Sequence, residues 1–229
     1  MPGLKLLAFT ATLVLSLATA ECRATERSVE HLGEVTLVIL PFENNSVTDP
    51  ERFAPLSKGL AAMLITDLSN SETRLKLVER EKIQALLKEI ALSQSGSVDE
   101  STGIEAGKVL GAQTIAIGSF MVLAKKVRID ARIIKVETGE VIMAESIMGD
   151  SDDFMDLERE LAQRIADSFK VGLRSKGGKS KGDISAALCF ARGLEAMDRG
   201  EKAEARRLFR KSIKLDPAYR AQVDEVKGL

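Results

Sequence analysis

Residues 35–42, VTLVILPF, are apolar but for Thr36 and end at Pro41-Phe42. A run of this length, rich in β-branched residues and lacking polar alternation, is buried on both faces. It predicts a central strand of a sheet with helices packed on it. A chain built around such a strand is expected to continue with crossover helices and further strands.

The next segments follow that pattern. Residues 43–50 are rich in Asn, Ser, Asp and Pro and read as a loop. Phe53, Leu56, Leu60, Met63, Leu64 and Leu68 recur at helical spacing and predict a helix of about 16 residues. Leu75 to Val78 is a short strand. A second helix presents Ile83, Leu86, Leu87 and Ile90 on one face, with Glu79, Arg80, Glu81, Lys82, Lys88 and Glu89 on the other. Residues 93–102 are a polar loop. A short helix from Thr102 to Leu110 closes at Gly111, a C′ glycine.

Residues 113–123 predict an apolar strand containing Gly118. In 126–136, Val127, Ile129, Ala131 and Ile133 alternate with Lys126, Arg128, Asp130 and Arg132, a strand with one wet face. Residues 137–140, ETGE, form a hairpin turn into a strand at 141–146. A helix with Leu157, Leu161, Ile165 and Phe169 in its stripe then runs to about Leu173. The expected fold is a mixed α/β sheet with flanking helices and a C-terminal antiparallel hairpin of strands, followed by an α-helical hairpin.

The chain begins with an address. Lys5, an apolar run from Leu6 to Leu17, and Ala18-Thr19-Ala20 make the three parts of a secretory signal, with cleavage expected after Ala20. About a dozen apolar residues are too few to span a bilayer. No later stretch is long enough either, so any membrane association is expected to be peripheral. Cys22 follows Glu21, which departs from the small residue that precedes a lipidated cysteine. A disulfide to Cys189 and a free, buried Cys189 both remain open. The organisation expected is a signal at 1–20, an extended segment at 21–34, an α/β domain at 35–173, a linker at 174–184 and a helical hairpin with its tail at 185–229.

The stretch 174–183, RSKGGKSKGD, is basic and glycine-rich, as a flexible linker is. Its GKS string does not make a phosphate-binding loop, because Leu173 stands where the first glycine belongs and no buried strand precedes it. Beyond it, Gly193, Gly200, Ala205, Phe209 and Pro217 fall at the offsets of one tetratricopeptide-like repeat over 186–219. Small residues let two helices approach, Phe209 fills the space between them and Pro217 ends the second. Cys189 and Arg192 depart from that pattern. A single repeat of this kind is expected to pack on the α/β domain, on residues 220–229 or on a partner.

Chemistry is sparse. The 229 residues hold 33 Lys and Arg, 34 Asp and Glu, one His, two Cys, no Trp and one Tyr. One His and two Cys cannot assemble the usual four-ligand zinc sites or a His-based triad. We therefore expect no catalytic residue, no metal and no cofactor. A net charge of −1, the absence of Trp and the single Tyr weigh against nucleic acid. His31 has no Cys, Asp or second His at ligand spacing. Asp150, Asp152, Asp153 and Asp156 lack the glycine of a calcium loop and read as N-terminal caps.

Glu79 and Arg80 open the second helix. They read either as a cap with a local ion pair or as a subunit contact made by the Arg fork. Glu89 lies about 15 Å further along the axis, too far for the carboxylate pair of a glycosidase. Asn44, Asn45 and Ser46 follow the first strand, where α/β folds often bind ligands, but also have ordinary turn chemistry.

Five fragments in order resemble the CsgG family of curli production assembly and transport components, and share features with TolB-like amino-terminal domains. They are VILPFENNS at 38–46 with the helix bearing Leu60 and Leu64, LVEREKIQALLKE at 77–89, GKVLGAQTIAIGS at 107–119 and ARIIKVETGEVIMAE at 131–145. The resemblance implies an α/β domain in the periplasm or at the outer membrane, with envelope or secretion proteins, or further copies of itself, as partners. It implies assembly or transport without catalysis. The loop at 93–103 and the turn at Ala124-Lys125 leave no room for long membrane-inserted hairpins, so no pore is expected. The other reading is a periplasmic small-ligand-binding module.

Overall fold

The structure is a computed structural model and describes residues 35–69, 75–93, 100–173, 180 and 184–229. β1 (Val35–Ile39) pairs in parallel with β3 (Leu75–Leu77) on one side and β4 (Thr114–Leu123) on the other. β4, β5 (Lys126–Lys135) and β6 (Val141–Asp150) form an antiparallel meander, so the sheet runs β3-β1-β4-β5-β6. A two-residue strand, β2 (Glu43–Asn44), pairs with β4 beyond the end of β1. The central apolar run is thus buried from Leu37 to Leu40. It breaks at Pro41, which has no N–H for the ladder, and resumes beside the same neighbour.

Helices cover both faces. α2 (Leu56–Ser69), α5 (Phe154–Ser168) and α6 (Ile184–Asp198) share the larger core with Leu37, Ile39, Phe120, Ile129 and Ile133. On the opposite face, Ile83 of α3 (Arg80–Ser93) packs with Val38, Leu40, Ile115 and Ile134, and Ile104 of α4 (Glu100–Val109) lies against them. α7 (Lys202–Leu215) lies against α6, and α8 (Tyr219–Asp224) against both.

Several boundaries differ from the sequence reading. The helix expected from Phe53 is two helices, α1 (Pro50–Phe53) and α2, because Pro55 between them cannot supply a helical N–H. β6 runs to Asp150 rather than 146. Its polar half pairs fully with Lys126 to Ala131 of β5, a partnership that local pattern does not show. α5 ends at Ser168, short of Leu173.

The acidic cluster before α5 does not cap it. Neither Asp150 nor Asp153 makes a side-chain capping bond, because a 3-10 turn at Ser151–Asp153 runs straight into the helix and leaves Asp153 outside extended backbone. Asp150 instead pairs with Lys126 at 2.8 Å, and Asp156 accepts a bond from the Ser180 N–H at 3.3 Å.

Three helices end in the same left-handed motif. In α4 the N–H of Ala112 reaches the carbonyl of Gly107, in α6 that of Glu201 reaches Ala196, and in α5 that of Val171 reaches Ala166. The residue at the turn is Gly111 (φ +66), Gly200 (φ +78) and, unusually, Lys170 (φ +55). Among the described residues no helix is long and apolar enough to cross a membrane. The signal, its cleavage after Ala20, His31, Cys22 and nearly all of the 174–184 linker lie outside the described residues.

Candidate interaction site

The break at Pro41 opens a groove of about 660 Å³ on the wet face of the sheet. Pro41, Glu43, Ser119, Asp130, Arg132 and Glu100 line it. Gly118 lies at its floor because the Phe42 ring occupies the space of a side chain. A Cβ there would stand 2.4 Å from Phe42 Cε1 and 2.3 Å from the Asp130 carbonyl oxygen.

The charges around the groove are matched. Arg128 donates to both oxygens of Asp130 at 2.8 to 3.0 Å and holds that carboxyl below the usual range. Arg132 reaches Glu100 at 3.3 Å. A surface of this kind can exchange ion pairs with a partner.

The loop that follows is tied down by its own side chains. Asn44 donates to the Pro50 carbonyl at 2.7 Å and accepts from the Ser46 N–H at 3.0 Å. The buried Ser46 hydroxyl accepts the Val122 N–H at 3.0 Å, continuing the β4 ladder past the end of β2. These residues do turn chemistry.

Glu79 and Arg80 are engaged within the chain. Arg80 Nη1 donates to Asp198 at the end of α6 at 2.8 Å, and Lys58 of α2 approaches the same carboxylate at 3.4 Å. Lys227, two residues from the C-terminus, donates to Glu79 at 2.6 Å and draws that carboxyl below its ordinary range. Under these pairs lies a cavity of about 320 Å³ lined by Ile65, Leu77, Phe190, Leu194, Gln222 and Val226. Glu89 is exposed on α3 and is not brought to this cluster.

The repeat-like residues form the seam of the helical hairpin. Gly193 faces Phe209, whose ring would lie 2.5 Å from a Cβ at that position. Ala205 is fully buried beside it, and Gly200 makes the turn. Ser212 donates across the seam to the Ala186 carbonyl at 2.8 Å. Phe190 meets Phe209 and Tyr219 with ring centroids 5.7 and 5.8 Å apart. Pro217 follows Asp216, whose carboxylate accepts the Ala218 N–H at the start of α8 and the Ser180 hydroxyl. Cys189 is buried in α6.

Sequence reasoning passed over the junction of α2, α5 and α8. Glu158 is fully buried, and neither of its carboxylate oxygens receives a hydrogen bond of ordinary length. Burial pushes its carboxyl well above the usual range, and the neighbouring Asp67 pushes in the same direction. Asp67 is raised too, chiefly by burial, although Arg159 opposes this and Gln222 donates to it at 2.7 Å. The only local signal was a Glu at a core-facing position of the α5 stripe.

The profile of the family described as "Curli production assembly/transport component CsgG" matches residues 33–128, from the central strand to the first three residues of β5. No curated protein matches the chain. Among solved structures, lipoprotein GNA1162 from Neisseria meningitidis is similar at 14% identity and a TM-score of 0.42, over 58% of this chain and 99% of that one. The LpoB C-terminal domain from Salmonella enterica is similar at 14% identity and a TM-score of 0.36, over 56% and 91%. The PelC dodecamer from Paraburkholderia phytofirmans is similar at 10% identity and a TM-score of 0.37, over 60% and 88%.

Proposed function

We propose that this chain is a non-catalytic, exported interaction protein that serves assembly or transport at the cell envelope without forming a pore of its own. The observation that carries this reading is the family match over 33–128, which takes in β1 to β4 of the sheet and Pro41, Glu43, Glu100 and Ser119 of the groove. The matched pairs Arg128–Asp130 and Arg132–Glu100 support recognition rather than proton transfer. The two-residue turn between β4 and β5 supports the absence of a membrane-inserted hairpin at that point. The hairpin of α6 and α7, read as one tetratricopeptide-like unit, adds a second face for partners.

The test is to cross-link a tagged chain in its native cells and identify what is recovered. Envelope, secretion or cell-wall components are expected, with the chain in the envelope fraction. Recovery from the cytoplasm with residues 1–20 retained would overturn the reading. A second reading, small-ligand binding, draws on the groove at the C-terminal end of β1, the usual ligand edge of such sheets. A rise in melting temperature with an envelope metabolite, abolished by Gly118→Val, would favour it.

A further inference from the structure

α7 carries Lys202, Arg206, Arg207, Arg210, Lys211 and Lys214, all exposed. At 100° per residue all but Lys202 fall in the half of the helix opposite the buried Ala205, Phe209 and Ser212. Arg207 pairs with Glu204 at 2.6 Å. The other five have no ion-pair partner among the described residues.

This arrangement works against the helix that bears it. Lys202–Arg206, Arg206–Arg210, Arg207–Lys211 and Arg210–Lys214 are like charges at i,i+4, each mildly destabilising. Only the cations of the last turn gain from the helix dipole. The excess is also local. Residues 35–173 hold 16 Lys and Arg against 22 Asp and Glu, whereas 184–229 hold 10 against 7. An extended anionic surface would repel the sheet domain and attract this helix, and so would orient the molecule.

We propose that α7 is a docking face for an anionic phospholipid surface. The row Arg206, Arg210 and Lys214 advances about 6 Å per step along a convex helix, a shape that meets a plane rather than a pocket. Protein interfaces have cores depleted of charge, Lys above all, and this face has no apolar centre. Leu215, 43% exposed at its end, is the one large apolar group beside it. Nucleic acid would want stacking aromatics, and the only Tyr is buried in the seam. Cations near an acidic headgroup layer contribute additively and are screened by salt. This inference stands on the charges of α7 and of the sheet domain and does not depend on the envelope reading.

The test is co-sedimentation of the full chain with phosphatidylcholine vesicles, with and without about one third phosphatidylglycerol. The apolar run at 6–17 would bind both kinds alike, so the difference between them is the readout. We expect about tenfold tighter partition onto the anionic vesicles at about 0.1 M salt, lost at about 0.5 M. The triple variant Arg206→Gln, Arg210→Gln, Lys214→Gln should lose most of that gain with its melting temperature held. The double variant Arg128→Gln, Arg132→Gln on the sheet should keep it. Equal binding to both vesicles, or equal loss in both variants, would overturn the proposal. So would binding to soluble polyglutamate but not to vesicles, which would assign the face to an acidic macromolecule instead.

Discussion

A Cβ built on Gly59 of α2 would stand 2.6 Å from the Cβ of Ala191 in α6. The two helices therefore touch at backbone distance, and this contact seats the C-terminal hairpin on the sheet domain. Gly59→Ala should destabilise the protein despite alanine's better helix propensity. Overpacking costs about 1–3 kcal/mol and the propensity gain returns about 1 kcal/mol, so a net loss near 1 kcal/mol is expected. Urea unfolding measures it, and an unchanged or higher midpoint would refute the close contact.

Arg80 and Asp198 should behave as a clamp. Both are partly exposed and the carboxylate is shared with Lys58. Their coupling in a double-mutant cycle of Arg80→Ala and Asp198→Ala should be about 0.5–1 kcal/mol at low salt and should shrink as salt is added. Limited proteolysis of the Arg80→Ala chain should cut earlier between the sheet domain and the hairpin.

Glu158 sets a pH dependence. Its folded carboxyl titrates above its unfolded value, so the folded state holds a proton that the unfolded state releases. The contribution is fully present below the ordinary carboxyl range and is lost as pH rises through the raised value. Denaturation midpoints should therefore fall as pH climbs above the ordinary carboxyl range. Glu158→Gln, neutral at every pH, should flatten that slope and stabilise the chain most at the alkaline end. An unchanged slope in the variant would place the titration elsewhere.

Lys170 occupies a position that Gly111 and Gly200 fill at the equivalent ends of α4 and α6. The left-handed backbone strains a residue with a Cβ. Lys170→Gly should raise stability by about 0.5–1 kcal/mol, read as a higher melting temperature. The exposed lysine makes this a test of backbone conformation rather than of lost packing.

Much of the fold is legible locally. The 35–42 run declares a buried strand, the alternation of Val127 to Ile133 with Lys126 to Arg132 is kept residue for residue in β5, and Gly111 ends α4. Gly193 meets Phe209 across the hairpin seam, and Ala205 is buried. What stays hidden is what depends on distant partners. Arg80 looks like an exposed helix-start residue until Asp198 arrives 118 positions later. Glu158 looks like one more charge on an amphipathic helix until α2 and α8 enclose it. The Pro41 groove exists only because β1 and β2 share β4. The second half of β6 is too polar to read as a strand without its partner beside it.

The contacts that seat the hairpin have a consequence for folding order. Gln222 meets Asp67 across 155 positions and Lys227 meets Glu79 across 148. Contacts so distant carry a large loop-closure cost and form late. As the chain is synthesised, the sheet meander can zip from Thr114 to Asp150 through short turns, yet the outer side of α2 stays bare until residues 184–229 have followed. That face, with Gly59 at its centre, is the apolar surface a folding chaperone would meet on a nascent chain, and the one through which truncated chains would associate.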